Sequence, residues 1–165
     1  MIISRCMDGK HVFKSWRENG EKKFLMEAFR PYFYVKEDEK EADIRALLNF
    51  GHTFGHAIEL MGEFKDYNHG EAVAIGMILA LELSARIGNI SQQDCLRVRD
   101  LMDKAKIDTK IKNPINPTDL YKGMMGDKKK KGDILNLVVL EDLGKAKVTS
   151  AIDESLILEI LNSSL

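Results

Sequence analysis

The pattern of apolar and polar positions divides the chain into an alternating part and a helical part. Up to about residue 35, short runs of alternating apolar and polar residues are separated by turn signals at Asp8-Gly9 and Asn19-Gly20. Alternation with a period of two residues is typical of strands, and Asp-Gly or Asn-Gly between two such runs favours a hairpin. The sequence therefore predicts a hairpin or a small meander at the N-terminus.

From residue 37 onward the apolar positions recur with the period of a helix. The first helix is expected to end at Gly62, and the second to begin at Asn68, because Asn68 and Glu71 have the spacing of a capping box. The fourth is expected to start after Pro117 and to end near Gly126. The four predicted helices cover about 39–61, 68–88, 91–105 and 117–126.

Two strands and a last helix are predicted after the basic turn DKKKKG. The strands are ILNLVVL and AKVTSA, joined by the turn EDLG, and the helix covers about 153–163. The predicted fold is therefore a mainly α domain with a small β-hairpin near its C-terminus and a short β segment at its N-terminus. The predicted domain boundaries are 1–35 and 36–165.

Composition excludes several classes of protein but points to no functional residue. The chain has 165 residues, 44% hydrophobic and 31% charged, as in an ordinary globular domain. A formal net charge of −1 gives no general attraction to nucleic acid or to an anionic membrane. Two cysteines are too few for a disulfide framework, the longest apolar run is too short to span a bilayer, and no signal peptide is recognised. A cytoplasmic location is predicted.

Three of the four histidines lie in one short region that predicts a polar cavity. If the first helix is continuous, a narrow stripe opposite its apolar face contains Arg45, Asn49, His52, His56 and Glu59. Two histidines one turn apart suit a metal, and His69 at the start of the next helix is a candidate third ligand. The string HTFGH lacks the glutamate of the HExxH metalloproteases. The alternative is that these histidines only form hydrogen bonds in the interior.

The strings RALLNFGHTFGHAIE and HGEAVAIGM resemble the signature of 3-dehydroquinate synthase. The resemblance covers residues 35–165, the C-terminal domain of that family. It implies a carbon–oxygen lyase of the shikimate pathway, in aromatic amino acid biosynthesis. Such an enzyme converts 3-deoxy-D-arabino-heptulosonate 7-phosphate to 3-dehydroquinate with loss of phosphate. It also implies a bound NAD and a divalent metal, zinc or cobalt.

The same resemblance implies a role for individual residues. His52 and His69 match metal ligands, and His56 matches a histidine that assists proton transfer. Residues that match contacts to the anionic substrate are Arg45, Asn49 and one of Lys128 and Lys129.

Several features of the family have no counterpart in this sequence. There is no GxGxxG or other glycine-rich phosphate loop for NAD, and Pro31 stands where the family has a substrate lysine. The family's third metal ligand, a glutamate, is not matched, which leaves Glu59 and Glu71 as candidate ligands or hydrogen-bond partners of the histidines. We therefore expect the chain to be inactive alone unless a separate polypeptide supplies the NAD domain. Self-association through an uncovered face is also expected.

The string MIISRCMDGKHVFKSWRENGEKKF resembles the start of the N-terminal domain of family B DNA polymerases. A chain joined from two families near residues 34–38, a chimaera, would have this appearance, although an unrelated hairpin would look similar. Two alternatives to the synthase therefore stay open. One is a non-catalytic metal- or anion-binding helical domain, and the other is a nucleic-acid-associated module, which the near-neutral charge disfavours.

Overall fold

The computed structural model describes residues 45–126 and 134–164. The predicted N-terminal hairpin, the segment that resembles a polymerase and the boundary near residue 35 all lie outside these ranges, as do Lys128 and Lys129. Those assignments stay predictions.

The described residues form a mainly helical domain with one small sheet, which confirms the predicted fold class. The first described element is a 3₁₀ helix, Arg45–Asn49, and the two strands pair antiparallel, with Leu137 opposite Thr149. No helix in the described ranges is long and apolar enough to cross a membrane. The elements are α1 His52–Met61, α2 His69–Arg86, α3 Gln92–Lys104, α4 Pro117–Met125, β1 Leu137–Asp142, β2 Lys145–Thr149 and α5 Glu154–Ser164.

The predicted continuous helix over 39–61 is wrong within the described residues. The 3₁₀ helix ends at Asn49, and Gly51 adopts the left-handed conformation with φ 81° before α1 begins. The left-handed turn at Gly51 lies where α1 and α2 cross. The two backbones are so close there that a Cβ on Gly76 would lie 2.1 Å from the carbonyl oxygen of Gly51. Only backbone without side chains can approach so closely. The proposed stripe of polar residues is therefore interrupted between Asn49 and His52.

Local capping explains why the other helices start where they were predicted to start. The Asn68 side chain accepts from the Glu71 N–H at 2.9 Å, and Glu71 accepts from the Asn68 N–H at 3.0 Å. Asn116 accepts from the first backbone N–H groups of α4, which has Pro117 at its first position. These bonds satisfy donors that a helix start otherwise leaves unpaired.

The main core lies between α1, α2, α4, α5 and one face of β1. Fully buried side chains from these elements include Phe54, Ile58, Leu79, Leu120, Val139 and Leu161. A second cluster between α2 and α3 is centred on Leu81, Cys95 and Met102. Since α1 and α2 are fixed by the main core and by their glycine crossing, the starts of these two helices are held in a defined relative position.

Ser84, a fully buried polar residue of α2, joins that helix to β1. Its hydroxyl donates to the Ala80 carbonyl at 2.7 Å and accepts from the Leu140 N–H at 2.9 Å. The Asn89 amide donates to the Leu140 carbonyl at 2.6 Å. Both backbone polar groups of Leu140 are thus satisfied by side chains.

Replacing Ser84 with alanine is expected to lower the free energy of unfolding by about 1–3 kcal/mol, because the Leu140 N–H is then buried without an acceptor. Urea denaturation measures this change. Ser163→Ala is the control, since Ser163 is exposed and, among the described residues, its hydroxyl donates to a carbonyl of its own helix. Equal stability of the Ser84 variant and the wild type would contradict the interpretation.

Candidate metal centre

Three histidines converge where α1 and α2 begin. His52 is the first residue of α1, His56 follows one turn later, and His69 is the first residue of α2. The ring centroids are 5.8 Å apart for His52 and His56, 5.6 Å for His52 and His69, and 5.8 Å for His56 and His69. Ligand atoms of His56, Glu59 and His69 all lie within 4.8 Å of one another. Imidazole and carboxylate donors in such a cluster suit zinc or cobalt.

One ring nitrogen of His52 is engaged by the backbone. Its Nδ1 lies 3.4 Å from the Phe50 carbonyl oxygen, and a carbonyl can only accept, so Nδ1 carries the proton. Burial lowers the pKa of His52, and the neighbouring His69 and His56 act in the same direction. The unprotonated nitrogen, Nε2, is therefore available to a metal.

His69 has an equivalent partner in a carboxylate. Its Nδ1 lies 3.2 Å and 3.3 Å from the two oxygens of Glu59. The Glu59 side chain is 13% exposed, whereas that of His69 is 56% exposed. A carboxylate can only accept a hydrogen bond, so His69 Nδ1–H donates to Glu59, which again leaves Nε2 as the nitrogen without a hydrogen bond.

His56 differs from the other two histidines. It is exposed, it contacts both other rings, and its nitrogens form no hydrogen bond with any of the residues that the structure describes. Both of its ring nitrogens are therefore open to a bound molecule.

A loop far along the sequence fixes the start of α2. Lys112 Nζ donates to Glu71 at 2.8 Å and to the Asp66 carbonyl at 2.9 Å, and the Tyr67 hydroxyl accepts from the Lys112 N–H at 2.8 Å. The hydrogen bond from Lys112, followed by that from the Asn68 N–H, lowers the pKa of Glu71. The Glu71 carboxylate is therefore already bonded to the Asn68 N–H at the start of α2 and to Lys112. No sequence pattern pointed to Lys112.

The predicted site residues are only partly brought together. The rings of His52, His56 and His69 are neighbours. The group whose ligand atoms all lie within 4.8 Å of one another is His56, Glu59 and His69, without His52. Asn49 is exposed and lies before the break at Gly51, and Arg45 opens the same 3₁₀ helix. The role assigned to each of these residues stays a prediction.

Sequence comparisons identify relatives over most of the chain. A family model described as 3-dehydroquinate synthase C-terminal matches residues 32–130. The 3-dehydroquinate synthase of Dichelobacter nodosus is 43% identical over 130 residues, which are 79% of this chain and 35% of that protein. That of Dictyoglomus turgidum is 40% identical over 129 residues, or 78% and 36%. The chain thus spans about a third of the length of these curated relatives.

Solved structures agree with this result. A 2-deoxy-scyllo-inosose synthase, complexed with carbaglucose-6-phosphate, NAD⁺ and Co²⁺, matches with a TM-score of 0.62 and 28% identity over 78% of this chain and 37% of that chain. The 2-epi-5-epi-valiolone synthase of Streptomyces hygroscopicus, with NAD⁺ and Zn²⁺ bound, has a TM-score of 0.65 over 84% and 36%, and at 21% identity it supports the fold alone. On the family match and the shared fold together, this chain belongs to the 3-dehydroquinate synthase C-terminal family.

Proposed function

We propose that this chain supplies the metal- and substrate-binding part of a 3-dehydroquinate synthase active site. The observation that carries the proposal is the different bonding of the three histidines. His52 and His69 each donate Nδ1–H to an oxygen acceptor, as metal-ligating histidines almost always do, whereas His56 does not. The same two histidines are the ones that the family resemblance assigns to the metal.

The donors present fit zinc or cobalt. His52 and His69 would hold the ion through Nε2, and the inosose synthase relative contains Co²⁺. When bound, a divalent ion acts as a Lewis acid toward the substrate hydroxyl that is oxidised and toward the resulting ketone.

His56 is suited to proton transfer. An exposed imidazole with no competing hydrogen bond within the described part of the chain can accept a proton from substrate and return it. Its ring lies 5.8 Å from each of the other two histidine rings, so it faces the same molecule that the metal would hold.

The substrate proposed is 3-deoxy-D-arabino-heptulosonate 7-phosphate, whose carboxylate and phosphate need cationic or amide partners. Arg45, Asn49 and one of Lys128 and Lys129 are the proposed contacts. Arginine can hold an oxyanion through two parallel hydrogen bonds, and lysine contributes a compact charge. The phosphate-bearing ligand of the inosose synthase relative supports an anion site of this kind.

NAD is proposed to bind outside the described domain. The inosose synthase relative contains NAD⁺, but the chain matches only 37% of its length and has no glycine-rich phosphate loop. We therefore expect these 165 residues alone to release no phosphate from the substrate. A further polypeptide region would supply NAD and a third metal ligand.

A chimaeric enzyme tests the proposed function. Residues 35–165 replace the matched third of the Dichelobacter nodosus synthase, and phosphate release is measured with substrate, NAD and zinc. We expect turnover by the chimaera and none by the isolated chain. His56→Ala in the chimaera is expected to lower kcat by about 10²–10⁴-fold. A folded chimaera that binds zinc and NAD but releases no phosphate would contradict the proposal.

A further inference from the structure

We infer that Glu59 is a positioning residue that holds the His69 imidazole with Nε2 toward the metal, and that Glu59 is not itself a ligand. The inference rests on the proposed function, because it concerns the same metal centre. Neither the family resemblance nor the comparisons assign a role to this glutamate.

The contact between Glu59 and His69 joins two helices. Glu59 lies in α1, two turns after His52, and its two carboxylate oxygens are nearly equidistant from His69 Nδ1, at 3.2 Å and 3.3 Å. At 13% exposure the Glu59 side chain is largely enclosed, so few alternative directions are open to it. Ring rotation of the more exposed His69 would break this bond.

Both ends of the contact are fixed by neighbouring structure. Glu59 follows the fully buried Ile58 and belongs to the helix that crosses α2 at Gly51 and Gly76. His69 lies between the two members of the Asn68–Glu71 capping box. A carboxylate held in this way can set the tautomer and the orientation of a ligand histidine.

The position of Glu59 also argues against direct ligation. If Nδ1 of His69 donates to Glu59, a metal can bind only at Nε2, which is on the other side of the imidazole ring. A zinc–nitrogen bond of about 2.0–2.1 Å extends away from Nε2, so Glu59 stays on the far side of the ring from the metal. Direct ligation by Glu59 would instead require His69 to bind through Nδ1, between the ring and the carboxylate.

Cobalt titration of the full 165-residue chain tests the inference. Glu59→Gln is expected to weaken Co²⁺ binding about 10–100-fold, while the visible absorption spectrum at saturation stays that of the wild type. Glu63→Gln is the matched control, because the Glu63 side chain is 78% exposed and, within residues 45–126 and 134–164, pairs with Lys65 alone. That variant is expected to bind Co²⁺ like the wild type.

Two results would overturn the inference. Unchanged Co²⁺ affinity in Glu59→Gln would show that the carboxylate does not position His69. A changed spectrum at saturation would show that it is a ligand.

The NMR chemical shifts of the imidazole nitrogens give a second measurement. They are recorded on the metal-free chain at a pH well above the usual histidine pKa of about 6.5. His69 is expected as the Nδ1–H tautomer, and this preference should be lost in Glu59→Leu; a tautomer that does not change would refute the hydrogen bond. If the wild type binds no Co²⁺, the metal part of the proposed function fails, and the nitrogen shifts still decide whether Glu59 orients the ring.

Discussion

Simultaneous replacement of His52 and His69 by alanine is expected to abolish zinc binding by the chain. These are the two histidines whose Nδ1 atoms are engaged and whose Nε2 atoms are free. Without them the described cluster keeps only His56 and Glu59, and a single imidazole with one carboxylate does not complete a zinc site. Isothermal titration calorimetry is the measurement, with zinc raised to about 100-fold above the wild-type Kd so that weakened binding is distinguished from its loss.

His56→Ala is the matched control, because it removes a third imidazole from the same cluster. We expect this variant to bind zinc within a few-fold of the wild type, since His56 has no acceptor among the described residues to fix its ring. If His56→Ala removes binding while His52→Ala does not, the metal lies among His56, Glu59 and His69, and the ligand assignment is wrong.

Replacing Gly76 with alanine is expected to destabilise the domain by about 3 kcal/mol, among the larger effects of a single methyl group. The new Cβ would lie 2.1 Å from the Gly51 carbonyl oxygen and 2.7 Å from the Gly55 nitrogen, and neither backbone atom can rotate away. Helices α1 and α2 must separate to relieve the overlap. Urea denaturation measures the loss, and calorimetry should show weaker zinc binding, because the same separation moves His52 away from His69.

Gly123→Ala in α4 separates the steric effect from helix propensity. A Cβ on Gly123 would lie 3.5 Å from Ala57 Cβ and from Met61 Cε, an ordinary packing distance. This variant is expected to stabilise the domain by about 0.5–1 kcal/mol, since alanine is favoured over glycine inside a helix. If both variants change stability by the same amount and sign, the close crossing at Gly76 is not what limits substitution.

Features fixed by neighbouring residues could be predicted from the sequence. The starts of α2 and α4 follow from Asn68 with Glu71 and from Asn116 with Pro117, in which cap and helix are adjacent. The histidine cluster could also be predicted from the sequence, because His52 and His56 are one helical turn apart.

Features fixed by distant contacts could not be predicted in this way. The left-handed turn at Gly51 exists because α2 passes against it, and periodicity within 39–61 contains no information about that crossing. Lys112 reaches Glu71 from a loop 41 residues away. The hydrogen bond that His69 donates to Glu59 likewise depends on how two helices pack, so the sequence identified Glu59 only as one of two candidates.

The bonding of Leu140 also limits how this protein can associate with itself. A strand edge with unpaired N–H and C=O groups can recruit a strand from another molecule, but the polar groups of Leu140 are already occupied by Ser84 and Asn89. At Leu140 the outer edge of β1 is therefore closed to such a strand. The other strand, β2, has only five residues and includes Lys145 and Lys147. A short, charged edge is a poor template for intermolecular pairing. The side chains that join β1 to α2 thus also keep the Leu140 position of β1 from pairing with a strand of another molecule.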